Sequence, residues 1–220
     1  MVEMLEAKIV KVNSDNPEID VIIEAAGIIK GGGLVIYPTE TSYGLGANAL
    51  DEGAVKKVFV VKRRPVGKPI PIIVSDLEMW EKCAFVNEPA KRLIEKFLPG
   101  PLTIALKKRD VIPDIVNVKA IAARIPSHSV ALLLVKAAGV PITATSANIS
   151  GRPPFYSAQK VFATFKKDVN LILDAGRLPR RRPSTVVDFT VGALPQITRE
   201  GPVSAESVLN ELKLGKDDVR

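Results

Sequence analysis

The sequence predicts an α/β protein built on a twisted, open, mixed sheet flanked by helices. Three observations lead there. Apolar runs of strand length alternate with stretches of helical periodicity. Several strand-like runs follow one another with no helix between them, so the sheet is expected to be mixed rather than purely parallel. No internal repeat, low-complexity tract or interdomain linker breaks the 220-residue chain. A single domain over residues 1–213 is therefore expected, with 214–220 as a C-terminal tail.

The elements follow in order. Lys8 to Val12 (KIVKV) reads as a strand. A helix is expected from Pro17, with Asn16 as its N-cap and Ile19, Ile22, Ile23, Ala26 and Ile29 on one face. Gly31, Gly32 and Gly33 end it. LVIYP reads as a buried strand running into a loop, PTETSYGLG. A helix over Glu52 to Val60 leads into a basic loop and the strand IPIIV. Helical patterns cover Leu77 to Phe97, Ser129 to Ala138, Ser157 to Phe165 and Ser204 to Leu212. Strands are expected at Leu102 to Leu106, Ala120 to Ile125, Pro141 to Thr145, Asn170 to Asp174, Thr185 to Phe189 and Gln196 to Arg199.

Composition excludes several classes of function. The single cysteine and single histidine leave no zinc-ligand cluster, so any metal must arrive on a substrate, as magnesium does on ATP. Cys83 lies among Trp80, Ala84 and Phe85 and reads as a buried structural thiol. No apolar run reaches the ~20 residues of a membrane span, and the N-terminus has no signal-peptide pattern. A cytoplasmic location is expected. The net charge of +7 favours polyanionic partners, nucleotide phosphates or nucleic acid. The cations cluster at Lys56, Lys57, Lys62, Arg63, Arg64 and Lys68, and again at Arg177 and Arg180 to Arg182.

Chemistry-bearing residues collect in loops after strands, where open α/β sheets bind ligands. The hydroxyls and glycines of PTETSYGLG suit close ligand approach, or an ordinary turn. KRRP with the following KP holds cations on a proline-stiffened loop. That suits phosphate, with arginine as a fork and lysine as a point charge, though such runs also occur as solvated turns. Pro99-Gly100-Pro101 reads as a structural turn. Arg124, inside the apolar strand of AARIPSH, needs an anion, either an acidic side chain or a bound carboxylate. His128 reads equally as a helix start or a catalyst. The donors of TSANISG can form an anion-binding nest.

Taken in order, PTETSYGLGA, KRRP with KP, PGPLT, ARIPSH, TSANISG, STVVD and REGP resemble the YrdC/Sua5 family of threonylcarbamoyl-AMP synthases over nearly the whole chain. The resemblance implies an α/β sheet around a large basic cavity. It implies synthesis of L-threonylcarbamoyl-adenylate and pyrophosphate from L-threonine, bicarbonate and ATP. The product would pass to a tRNA threonylcarbamoyl transferase complex for t6A modification, with direct tRNA contact possible. Carried over by motif, Lys62 and Arg64 would hold ATP phosphates and carry catalysis. Ser146, Asn148, Arg152 and Arg199 would complete the nucleotide site. Thr39, Arg124 and Ser184 would hold threonine. The chain departs from the family in three ways. Pro71 to Val74 lacks a histidine that many members carry, Pro183 stands where many have glutamate, and the extra C-terminal domain of longer members is not in this sequence.

Three other readings compete. A double-stranded RNA or tRNA-binding module would use the same basic cavity, but aromatic residues are only 5% and no stacking pattern is evident. Gly44-Leu45-Gly46-Ala47-Asn48-Ala49 mimics a dinucleotide fingerprint. Lys62, Arg63 and Arg64, however, stand where a ribose-binding acid belongs. Related domains also occur in hydrogenase-maturation carbamoyltransferases, but the zinc-binding and other domains of those proteins are not in this sequence.

Overall fold

The computed structural model describes residues 6–192 and 194–215. Residues 1–5, where a leader was sought, and 216–220 of the expected tail lie outside the described residues. The α/β class holds, but the strands divide between two mixed sheets.

The first sheet contains β1 (Lys8–Lys11), β2 (Val35–Pro38), β3 (Tyr43–Gly46), β8 (Thr145–Ser146) and β9 (Leu171–Asp174), in the order β1-β9-β2-β3-β8. β9 lies parallel to both β1 and β2, while β3 is antiparallel to β2 and β8. The second has the order β11-β10-β5-β6-β4-β7. Its strands are β4 (Ile72–Ile73), β5 (Leu102–Lys107), β6 (Ala120–Arg124), β7 (Ile142–Thr143), β10 (Thr185–Asp188) and β11 (Gln196–Arg199).

The strand expected over Pro141 to Thr145 is two strands. β7 pairs in the second sheet and β8 in the first, so the chain changes sheets at Ala144. The backbone amide of Ala144 donates to the carbonyl of Pro71 at 2.7 Å. β3 replaces the second half of the expected loop. Its register sets Gly44 and Gly46 beside the Tyr37 ring, and a Cβ on Gly46 would lie 2.7 Å from that ring. Hydrogen there is what lets the ring lie across the strand pair. Its hydroxyl then reaches the carbonyl of Thr143 at 3.0 Å. The fingerprint-like glycines are therefore packing residues of a strand.

Side-chain alternation distributes the core. In β2, Ile36 faces a cluster shared with β5 and β6, whereas Val35 and Tyr37 face a second cluster. Helix α1 (Ile19–Lys30) and helix α5 (Ser129–Ala138) supply much of that second cluster. With both faces covered, β2 is buried throughout. α1 starts later than expected, with Glu18 as N-cap. Asn13 Oδ1 accepts the amides of Asp15 and Asn16 and folds a turn ahead of it. α2 (Glu52–Lys62) is capped by Asp51, which accepts from the Ala54 amide at 3.1 Å. It runs two residues beyond the expected end, and this carries Lys62 inward on its last turn. Helices α3 (Leu77–Cys83), α4 (Glu88–Phe97), α6 (Ala158–Phe165) and α7 (Ala205–Leu212) complete the described elements.

Candidate active site

A cavity of about 520 Å³ opens where the two sheets meet, a size suited to a small molecule. The hairpin turn between β2 and β3 contributes Thr41 and Ser42, and β8 contributes Ser146. Thr103 of β5, Arg124 at the end of β6 and Arg199 at the end of β11 enter from the second sheet, with Ser184 just before β10. Arg64 and Arg181 add two more cations to its wall.

Two hydrogen-bonded groups shape it. The first is centred on Lys62, whose side chain is buried and only 1% exposed. Its ammonium donates to the carbonyl of Ser146, to the carbonyl of Asn148 at 2.8 Å and to Asn148 Oδ1 at 3.2 Å. Ser146 Oγ donates to Asn148 Oδ1, and Asn148 Nδ2 donates to the carbonyls of Ile149 and Arg152. Lys62 and Asn148 thus lie behind the wall and hold the TSANISG loop in shape. Burial, with Arg64 and Lys68 nearby, pulls the Lys62 pKa down to about 7. Arg64 is fixed by donating to the carbonyls of Lys68 at 3.3 Å and Pro69 at 2.6 Å. The proline-stiffened loop therefore anchors this cation.

The second group lies at the ends of β5, β6, β10 and β11. Arg199 donates through Nε to the Ser184 carbonyl at 2.9 Å and through Nη2 to Ser184 Oγ at 3.2 Å. Thr103 Oγ1 and Ser184 Oγ are 2.8 Å apart. Gly201 passes over this rim with no room for a side chain, since a Cβ there would lie 2.2 Å from the Pro183 carbonyl oxygen. Arg124 resolves the choice left by the sequence in favour of an ion pair with Glu40. Burial, reinforced by the charge of Arg199, lowers the Arg124 pKa to about 10.

The other candidates are placed as follows. Thr39 closes the hairpin turn. Its hydroxyl donates to the Ser42 carbonyl at 2.7 Å and accepts the amides of Thr41 and Ser42. Arg152 lies in an adjoining groove with Lys160, Arg177 and Arg180, which shares Pro154 and Tyr156 with the cavity. His128 is the N-cap residue of α5, its Nδ1 buried without a hydrogen bond, and burial lowers its pKa. It does not line the cavity. Cys83 is buried, which raises its thiol pKa to about 11.

Sequence reasoning missed Glu40, Thr103, Arg181 and Tyr156 as site residues. Arg181 had a signal in its cation cluster. Thr103 was hidden inside a motif read as a structural turn. No group of three or more His, Cys, Asp or Glu suited to a metal ion occurs among the described residues. None of the described helices is long and apolar enough to cross a membrane.

Known proteins resemble this chain in sequence and in fold. The family Sua5_yciO_yrdC, described as "Telomere recombination", matches residues 27–201. The chain is 42% identical to a putative threonylcarbamoyl-AMP synthase of Methanocaldococcus jannaschii, over 82% of this chain and 85% of that protein. It is 41% identical to the threonylcarbamoyl-AMP synthase of Pyrococcus abyssi over 86% of this chain. This match spans only 57% of that relative's length. The crystal structure of P. abyssi Sua5 complexed with L-threonine superposes with a TM-score of 0.89 at 39% identity, covering 96% of this chain and 62% of that one.

Proposed function

The chain belongs to the Sua5/YciO/YrdC family, and from that premise we propose that it is an L-threonylcarbamoyladenylate synthase. The observation carrying this reading is that one cavity joins two separately anchored sets of cations and donors. Arg64 and Ser146 belong to one set, and Arg124, Arg199 and Ser184 to the other.

In this reading ATP, delivered with Mg²⁺, directs its phosphates to Arg64, while Lys62 and Asn148 hold the loop that presents Ser146. Arg152 borders the nucleotide end, and Arg199 stands between the two substrates. L-Threonine takes the other end, with its carboxylate on Arg124 and with Ser184 beside it. Thr39 serves threonine indirectly, by shaping the turn that presents Thr41 and Ser42.

The ammonium of threonine and bicarbonate yield a carbamate with loss of water and a proton. A carbamate oxygen then attacks the α-phosphorus of ATP, and the bond to pyrophosphate breaks. Two anions must meet, so fixed cations and prior positioning supply the catalysis, and no nucleophilic side chain is needed. We place this reaction in the cytoplasm, with the product consumed by a tRNA threonylcarbamoyl transferase complex.

The test is pyrophosphate release with ATP, Mg²⁺ and bicarbonate, comparing L-threonine, L-serine and no amino acid. Threonine-dependent release, lost in Arg64→Ala and Arg124→Ala, is expected. No turnover with any amino acid, together with tight salt-sensitive RNA binding, would replace the synthase with an RNA-binding module.

A further inference from the structure

Glu40 has no role in the chemistry above, yet it is the carboxylate built against the amino-acid end of the cavity. It sits in the turn between β2 and β3, and its side chain is 8% exposed. The Thr39 hydroxyl bonds hold that turn closed. Both Glu40 oxygens are buried, and the charge facing them is the Arg124 guanidinium, whose ion pair balances the carboxylate. A buried ion pair is a poor source of stability, because apolar residues of similar volume often fill the space at lower cost. What Glu40 changes is the charge presented by Arg124.

Among the described residues, the cavity wall carries Arg64, Arg124, Arg181 and Arg199 and no carboxylate. Among the described residues, Arg124 alone of these four forms an ion pair. Arg124 meets Glu40 through Nη1 and still lines the cavity. Without Glu40, Arg124 and Arg199 would present two uncompensated cations side by side. That arrangement suits a phosphate group as well as the Arg64 side does. With Glu40 in place, the same end carries about one net positive charge, which matches one carboxylate.

We infer that Glu40 is a positioning and specificity-determining residue that reserves the Arg124 end for a singly charged carboxylate and keeps polyphosphate out of it. The inference rests on the synthase reading. It is specificity through an added repulsive element, since a carboxylate behind the guanidinium disfavours the more highly charged competitor most. It also gives ATP a single orientation in a cavity whose walls are otherwise basic throughout.

The experiment is calorimetric titration of inorganic pyrophosphate into wild type and Glu40→Gln, each with and without saturating L-threonine. Wild type is expected to bind one pyrophosphate, unaffected by threonine. Glu40→Gln is expected to bind a second, which threonine displaces. Its apparent KM for threonine should rise about tenfold at saturating ATP, with the KM for ATP within about twofold, because polyphosphate then competes for the Arg124 end. Glu40→Asp keeps the charge and should restore the wild-type stoichiometry.

One pyrophosphate in Glu40→Gln with an unchanged threonine KM overturns the assignment. So does a second, threonine-displaced pyrophosphate already present in wild type, a result that requires no folded variant. If Glu40→Gln fails to fold, Glu40→Gln/Arg124→Gln removes both charges and should bind one pyrophosphate and no threonine; two would again overturn the assignment. Absence of threonine-dependent turnover in wild type defeats the synthase reading instead, a different pattern from unaltered stoichiometry in an active enzyme.

Discussion

Lys62 shows how far a residue's role depends on where its chain direction takes it. In sequence it belongs to a basic loop, and phosphate is the natural partner. In the fold it completes α2 and donates hydrogen bonds to the carbonyls of Ser146, at the end of β8, and of Asn148 just after it. Lys62→Met leaves those carbonyls without their donor and lets the TSANISG loop relax, so kcat/KM for ATP should fall by about an order of magnitude or more. Steady-state kinetics at fixed threonine measures it. The pH dependence has a definite sign. The folded pKa of about 7 lies below the ordinary lysine value near ~10.4, so between these values the unfolded chain holds a proton that the folded one has released. The cost of burying the ammonium is therefore fully present below pH ~7, and stability rises with pH across that window. Urea unfolding of wild type and Lys62→Met should show this as a difference that grows in favour of wild type from about pH 7 to pH 10.

At the scale of elements, the β2–β3 hairpin and α2 position the site. Gly46→Ala would press a methyl against Tyr37 and against Ile142 Cγ2, which lies 2.8 Å from the ideal Cβ. Overpacking of this kind costs about 1–3 kcal/mol, measurable by denaturant titration. Because the ring spans the hairpin, the same change should also raise the KM for threonine. Asp51→Ala removes the cap of α2 and should cost about 0.5–2 kcal/mol. Its effect on catalysis should be small if the helix end that carries Lys62 remains folded. These two substitutions separate a strand that shapes the cavity from a cap that only stabilises its support.

The whole molecule links its two sheets through one core. The larger apolar cluster includes Ile36 and Leu45 from the first sheet, and Ile104 and Ile121 from the second. The chain also crosses between the sheets at Ala144. The described region should therefore unfold in one cooperative transition, with calorimetric and van't Hoff enthalpies in agreement. Ligand bound between the sheets stabilises both together. ATP at a hundred times its Kd should add about 2.7 kcal/mol and shift that single transition without splitting it. Two transitions, only one of them moved by ATP, would show the sheets to be independent units.

Much of this was legible in the sequence, because local chemistry settled it. Periodicity marked most strands and helices, and the order of seven short motifs identified the family. Arg64, Ser146, Arg124 and Arg199 stood out because arginines and hydroxyls at or beside strand ends are unusual on local grounds, and the structure sets all four on one cavity. Tertiary structure decided the rest. It divided the strands into two sheets, turned Lys62, Asn148 and Thr39 behind the wall, and brought Glu40 onto Arg124. Each of these depends on register and on contacts between segments far apart in the chain. The pairing of Glu40 with Arg124 joins a turn of the first sheet to a strand of the second. Such a pairing has no period or spacing in the sequence, since it exists only once both sheets have packed on their common core.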